Sequence, residues 1–150
     1  MRRFIVLSTL ILVTGSTAYA WQVKPWPPPP PPDLVVSSYA VVSPPVIHCG
    51  AQTIVFNITE TNTGAGPSGP YFTHHFSQGF AFCGRSRPGL AAGASATFTD
   101  SCSFNGGPCD CSPGTFPNPL FARVDATGQV AETNEANNQG PTVVKTQQCP

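Results

Sequence analysis

Short runs of alternating apolar and polar residues punctuate the chain, and no segment after Asp33 carries an apolar stripe at the 3.6-residue spacing of a helix. Thr53-Ile-Val-Phe-Asn-Ile-Thr59 puts Ile54, Phe56 and Ile58 on one face and Thr53, Val55, Asn57 and Thr59 on the other. The same period predicts strands at Leu34–Val42, Tyr71–Phe76, Ala94–Thr99, Leu120–Val124 and around Val143-Val144. Within them, Phe72, His74 and Phe76 share a face read as apolar and inward. Ala94, Ala96 and Phe98 form an inward set, and Leu120, Ala122 and Val124 share a face opposite Phe121 and Arg123. Turn signals separate the runs: Ser43-Pro-Pro45, Gly64-Ala-Gly-Pro67, Pro88-Gly89, Gly106-Gly-Pro108 and Gly140-Pro141. Short alternating strands with this punctuation predict an all-β, antiparallel sandwich of about seven strands.

The start of the chain follows different rules. Arg2-Arg3, the apolar run Phe4–Val13 and Ala18-Tyr19-Ala20 have the order of a secretory signal peptide over residues 1–20. The apolar run is too short for a helix across a hydrocarbon core of roughly 30 Å, and no later segment is a transmembrane candidate. Residues 21–32 read as a proline-rich linker, because six successive prolines, Pro27–Pro32, hold an extended helix of roughly 19 Å. That leaves 33–150 as one β-sandwich domain in a mature chain of 150 − 20 = 130 residues. The expected location is secreted, periplasmic or at the cell surface.

Charge then narrows the partners. The chain has seven basic and seven acidic residues, and loss of Arg2 and Arg3 leaves five against seven. No basic run or basic-aromatic stripe exists, which argues against nucleic acid and against a grip on anionic lipid.

Six cysteines in an exported chain predict disulfides: Cys49, Cys83, Cys102, Cys109, Cys111 and Cys149. Cys109-Asp110-Cys111 is too short a loop for an easy internal bond, so these two are expected to take different partners. The absence of a C-x-x-C pair weighs against structural zinc and against a dithiol redox role. If loops alternate between the two ends of a sandwich, the cysteines fall in loops at one end. A disulfide-stapled end opposite Asp125–Asn138 is the expectation.

Several stretches together resemble a known family. Asp33-Leu-Val-Val36 opens the unit, and Val55-Phe-Asn-Ile-Thr-Glu-Thr-Asn-Thr-Gly64 is similar to the family's second strand with its Asn-x-Gly turn. Gly89-Leu-Ala-Ala-Gly-Ala-Ser-Ala-Thr-Phe98 is similar to its entry into a later strand. Val124-Asp125 with Val130-Ala-Glu-Thr-Asn-Glu-Ala-Asn-Asn138 is similar to its final hairpin. These resemble the CARDB family, the cell-adhesion-related domain found in bacteria, over about Asp33 to Val144. The resemblance implies an immunoglobulin-like fold and a non-catalytic adhesion or recognition module that binds an extracellular protein or glycan. Departures from the pattern are the number of cysteines and an insertion at Ser101–Phe116.

Two chemical features compete with a purely structural role. Asp125, Glu132 and Glu135 make the closing hairpin oxygen-rich, so a calcium-stabilised module is one alternative. Against it, Asn134, Asn137 and Asn138 can satisfy backbone groups at a hairpin. Phe104, Asn105, Gly106, Gly107 and Pro108 form a candidate binding tip in the cysteine-rich loop, which makes a secreted effector or inhibitor the other alternative. An enzyme is not expected: no G-x-S-x-G elbow is present, the acids are few and scattered, and no glycine-rich phosphate loop occurs. No organic cofactor is implied.

Overall fold

The computed structural model describes residues 26–48, 50–105 and 114–149; the side chains of 114–116 and 147–149 lie outside the description. The signal-peptide segment, Cys49, Cys109, Cys111 and the tip Gly106-Gly107-Pro108 also fall outside it. Eight strands run in order: β1 (Leu34–Ser43), β2 (Ile47–His48), β3 (Ala51–Asn62), β4 (Tyr71–Ser77), β5 (Phe80–Arg87), β6 (Ser95–Asn105), β7 (Gly114–Arg123) and β8 (Val143–Cys149). They form a three-stranded sheet, β1-β3-β6, and a five-stranded sheet, β2-β8-β7-β4-β5. Pairing is antiparallel except between β2 and β8.

The alternation in β3 explains the sandwich. Ile54, Phe56 and Ile58 are fully buried, and they face Leu120, Ala122 and Tyr71 of the other sheet within one core. β1 adds Leu34, Val36 and Tyr39, and β6 adds Cys102 and Phe104. Each fully buried aliphatic side chain contributes about 1.5–3 kcal/mol relative to exposure. Pro117 and Pro119 are tolerated in β7 because they pair only with β8, while β4 meets β7 from Leu120 onward.

One assignment of faces is corrected. Phe72, His74 and Phe76 do share a face of β4, but it is the outer one. Tyr71, Thr73, His75 and Ser77 point inward and are buried. The inward residues are polar because β3 and β6 present charged partners to them, so hydrophobicity along β4 misreports its direction.

The cysteines also depart from expectation. Cys83 and Cys102 lie within β5 and β6, not in end loops, and they form a disulfide with sulfurs 2.02 Å apart. The bond joins the two sheets across the body of the sandwich, which overturns the idea of bridges confined to one end. Cys149 ends β8, with its backbone opposite Gly114.

At the other end a buried amide ties three segments together. Asn62 Oδ1 accepts the backbone N–H of Asp33 (3.1 Å) and of Gly64 (3.0 Å). Its Nδ2 donates to the carbonyls of Gly66 (2.8 Å), Leu90 (3.1 Å) and Ala91 (3.2 Å). The loop after Asn62 carries the end of the proline run: Gly66 N–H donates to Pro31 O at 3.3 Å. A Cβ on Gly66 would lie 1.8 Å from the Pro30 carbonyl oxygen, and one on Gly64 2.4 Å from the Asp33 nitrogen. Both positions therefore need glycine for close backbone approach. Pro32 is buried, so the last prolines pack on the sandwich, whereas Trp26 is 90% exposed.

Replacing Asn62 by Ala takes the partner from the Asp33 and Gly64 N–H groups and from the Gly66 carbonyl, while the Leu90 and Ala91 carbonyls keep the N–H groups of Ser68 and Ala94. The expected loss is about 3 kcal/mol in urea-unfolding free energy, with little change in the slope. A loss below about 1 kcal/mol would show that water replaces the amide.

Candidate functional site

Three places hold chemistry: the space between the sheets, the Asp125–Asn138 loop, and the two outer faces. Between the sheets, Arg87 of β5 reaches into the three-stranded sheet. Its Nε donates to Glu60 Oε1 at 3.0 Å and its Nη1 to Asp100 Oδ1 at 2.9 Å. Tyr71 and Thr73 donate to the two oxygens of Glu60, each at 2.8 Å. His75 Nε2 lies 2.8 Å from Asp100 Oδ2, and its Nδ1 lies 3.2 Å from the Tyr39 hydroxyl. Arg87 also covers the Phe98 ring, 4.1 Å from its centroid, a cation–π contact.

This network resembles catalytic chemistry only in its residue types. Glu60 and His75 have no exposed surface, and Arg87 and Asp100 are about 5% exposed or less. His75 packs against Phe56 at 4.6 Å between ring centroids. Burial alone would push the Asp100 carboxyl up. The hydrogen bonds from His75 and Arg87, with the guanidinium charge, outweigh it and hold Asp100 below the usual carboxylate range. Burial keeps the Tyr39 and Tyr71 phenols protonated far above their ordinary range.

The Asp125–Asn138 loop connects β7 to β8. Asp125 sits at φ 42° and accepts Gln129 N–H and Val130 N–H, each at 3.0 Å, with its two carboxylate oxygens. Both oxygens are thus engaged in turning the chain, and φ > 0 suits Asp better than a branched residue. Glu135 Oε1 accepts Glu132 N–H at 3.0 Å. Glu132 Oε2 accepts Leu34 N–H (3.3 Å) and Asn138 Nδ2 (3.0 Å). Asn137 Nδ2 donates to Asp33 Oδ1 at 2.9 Å, and Thr133 N–H to Pro32 O at 2.9 Å. The loop therefore clamps the chain as it enters β1. Three buried oxygens there have no hydrogen-bond partner: Glu132 Oε1, Asn137 Oδ1 and Asn138 Oδ1. The sequence singled out the three acids as metal candidates and read Asn137 and Asn138 as satisfying backbone groups, whereas their amide nitrogens bond side-chain carboxylates and their oxygens have no partner.

The outer faces differ sharply. On the three-stranded sheet, alternate positions of β3 and β6 carry small uncharged groups, paired row by row. Thr61 meets Ser95 at 2.8 Å, Thr59 meets Thr97 at 2.9 Å, and Thr99 donates to Asn57 at 2.9 Å. On the five-stranded sheet, Phe76 of β4 stacks on Phe121 of β7, with ring centroids 4.9 Å apart and planes 2° apart. Phe72 (37% exposed) and His74 extend the row along β4, and Val144 of β8 is 61% exposed. Asn105, from the proposed display tip, ends β6, and Phe104 beside it is buried in the core against Phe82. Phe104 is therefore not an exposed binding residue.

Among the described residues no helix is long and apolar enough to cross a membrane, and no group of three His, Cys, Asp or Glu side chains could hold a metal.

A family model described as CARDB matches residues 31–140. No curated protein matches the sequence. Among solved structures, the chain is similar to the CARDB domain of a Pyrococcus furiosus protein determined in complex with di-metal ions. The TM-score is 0.55 at 19% identity, covering 78% of this chain and 89% of that one. A solution structure of that domain gives a TM-score of 0.52 at 18% identity, over 79% and 97% of the two chains. A domain of a Methanosarcina acetivorans protein named for the cell surface gives 0.53 at 21% identity, over 77% and 91%.

Removing Arg87 strands two buried carboxylates. Arg87→Met is expected to cost about 3–5 kcal/mol at pH 7, measured by chemical denaturation. The sign with pH follows from Asp100. Its lowered folded pKa contributes stability that is present above the unfolded carboxylate pKa and is lost as pH falls through the folded value. The variant should therefore lose less stability than the wild type between pH 5 and pH 2, a range of roughly 3 units chosen to span carboxylate titration.

Proposed function

The chain belongs to the CARDB family, and on that footing we propose that it is a non-catalytic extracellular recognition module that binds another protein through the outer face of its five-stranded sheet. The aromatic row on that face carries the reading, with Phe72 and Val144 exposed and Phe76 and Phe121 half-buried between them. Contiguous exposed apolar surface marks interaction sites, whereas scattered apolar residues do not. Phe72, Phe76, Phe121 and Val144 lie on adjacent strands of one face. Interface centres are enriched in aromatic residues and depleted in Ser, which separates this face from the hydroxyl-covered opposite sheet. There the Thr and Ser side chains already pair with one another, so a partner would have to break those bonds.

Protein is favoured over glycan by the ring geometry. Phe76 and Phe121 stack on each other, so one face of each ring is already occupied and less ring face is left for a sugar. Neighbouring Arg123 is exposed and supplies a polar rim. The non-catalytic reading is supported by the complete burial of the His75–Asp100 pair, which no substrate reaches.

A photo-crosslinking amino acid at Phe72 is expected to yield a protein adduct from the native surface or secreted fraction, and the same probe at Thr97 none. Phe121→Ser should weaken capture by at least tenfold while leaving the unfolding temperature within a few degrees. Adducts only from Thr97, or selective binding on a glycan array that survives Phe121→Ser, would place recognition elsewhere.

A further inference from the structure

The unpartnered oxygens in the Asp125–Asn138 loop form a set of one chemical kind. Glu132 Oε1, Asn137 Oδ1 and Asn138 Oδ1 are all acceptors and all buried, and none has a donor. A buried acceptor without a partner costs about 1–3 kcal/mol, so three within seven residues of chain ask for a physical explanation. The donors that might have served them are committed. Asn138 Nδ2 is bonded to Glu132 Oε2, and Asn137 Nδ2 to Asp33 Oδ1. The Asn138–Glu132 bond sets two of the three side chains side by side, Asn137 is the next residue in the chain, and Asn138 is only 3% exposed. Among the described residues the Glu132 carboxylate has no ion-pair partner.

We propose that Glu132, Asn137 and Asn138 hold a calcium ion, through the carboxylate oxygen Oε1 and the two amide oxygens. A hard divalent cation takes carboxylate and Asn carbonyl oxygens in flexible geometry, with water completing six to eight ligands. Zinc would want nitrogen or sulfur donors, which this set lacks. Magnesium demands a stricter octahedron than two side-chain amides on adjacent residues supply. Asp125, Asp33 and Glu135 surround the loop and make it electronegative; Arg123, which lines the adjoining cleft with Asp125, Glu135 and Asn138, is the opposing charge. One carboxylate ligand places the affinity at about 10⁻⁴–10⁻³ M, the range of extracellular modules. Of the three acids in the loop, only Glu132 is a ligand, because both Asp125 oxygens already fix the turn and Glu135 Oε1 caps Glu132 N–H. Bound calcium would lock the loop onto Pro32, Asp33 and Leu34, where the chain enters the sandwich.

A proton is the rival occupant. Burial pushes the Glu132 carboxyl up to about 7, opposed by its hydrogen bonds from Leu34 and Asn138. A raised carboxyl pKa means that this group favours the folded state below its unfolded pKa and that the contribution is lost as pH rises through about 7. One proton, however, gives a donor to Glu132 Oε1 and at most one amide oxygen.

The test uses the secreted chain with its disulfides intact. Calorimetric titration with calcium chloride at pH 8 should show one site of about millimolar affinity or tighter, and the unfolding temperature should rise over the same range. Magnesium chloride should give less than a tenth of that affinity. Glu132→Gln should abolish calcium binding while raising the calcium-free unfolding temperature at pH 8, because the neutral amide needs no counter-charge. At pH 5.5 the wild-type response to calcium should shrink at least tenfold. No heat and no shift at 10 mM calcium (roughly ten times the weakest expected dissociation constant), or equal binding by Glu132→Gln, overturns the site and leaves the proton as sole occupant.

Discussion

The sandwich is organised around a guanidinium held between two carboxylates. Arg87 belongs to the five-stranded sheet, while Glu60 and Asp100 belong to the three-stranded one. A buried charge of this kind is tolerated only with its partners in place and its remaining hydrogen bonds satisfied. Satisfying them recruits Tyr71 and Thr73 for Glu60, and His75 with Tyr39 for Asp100. Those four residues come from β1 and β4, so one ion cluster sets how β1, β3, β4, β5 and β6 face one another. A slip of one residue in β5 would turn Arg87 to solvent and leave both acids unpaired. The cluster therefore specifies register more than it adds stability, since apolar packing of the same volume would serve as well energetically.

That constraint explains what the sequence made legible. β3 and β7 read correctly because their inward positions are apolar: Ile54, Phe56 and Ile58, and Leu120 and Ala122. β6 read correctly for Ala96 and Phe98, yet its length was hidden because Asp100 continues the inward face with a charge. β4 was inverted for the same reason, its inward Thr73, His75 and Ser77 being more polar than its outward Phe72 and Phe76. β5, Phe80–Arg87, carries no clean apolar alternation, because a bulge turns the adjacent Phe82 and Cys83 both toward the core and the next inward positions are Arg85 and Arg87. Periodicity reports burial only where burial is apolar, and the seam between β5 and β6 is ionic and covalent apart from the Phe82–Phe104 contact.

The short motifs behind the family resemblance turn out to be neighbours in space. Asp33, the Asn62-Thr-Gly64 turn, Leu90-Ala91 and the Glu132–Asn138 stretch all meet at one end of the sandwich. Asn62 is the knot, and its five bonds reach the first, second and third of these segments. The fourth clamps the first through Leu34 N–H, Asp33 Oδ1 and Pro32 O. Each motif looks weak alone because each contributes one half of a contact. Asn and Gly appear where a side chain must replace backbone bonds or where backbones approach within van der Waals distance, and these needs leave no hydrophobic pattern.

The disulfide acts on the same seam as the ion cluster but by a different route. Cys102 lies two residues beyond Asp100 in β6, and Cys83 four before Arg87 in β5. Between them Arg85 donates to the Ser101 carbonyl. The covalent bond closes a 19-residue separation, which on the chain-entropy account is worth about 3 kcal/mol through the unfolded state. It carries little information about register, because it constrains one point. The ion cluster carries register and little net energy. A domain with few charged residues thus divides the work at one seam: the disulfide supplies stability that does not depend on which residue faces which, and Arg87 with its acids decides which does. The opposite end, where Asn62 and the Glu132 loop meet, has hydrogen bonds in place of both, and it is there that three buried oxygens lack a hydrogen-bond donor.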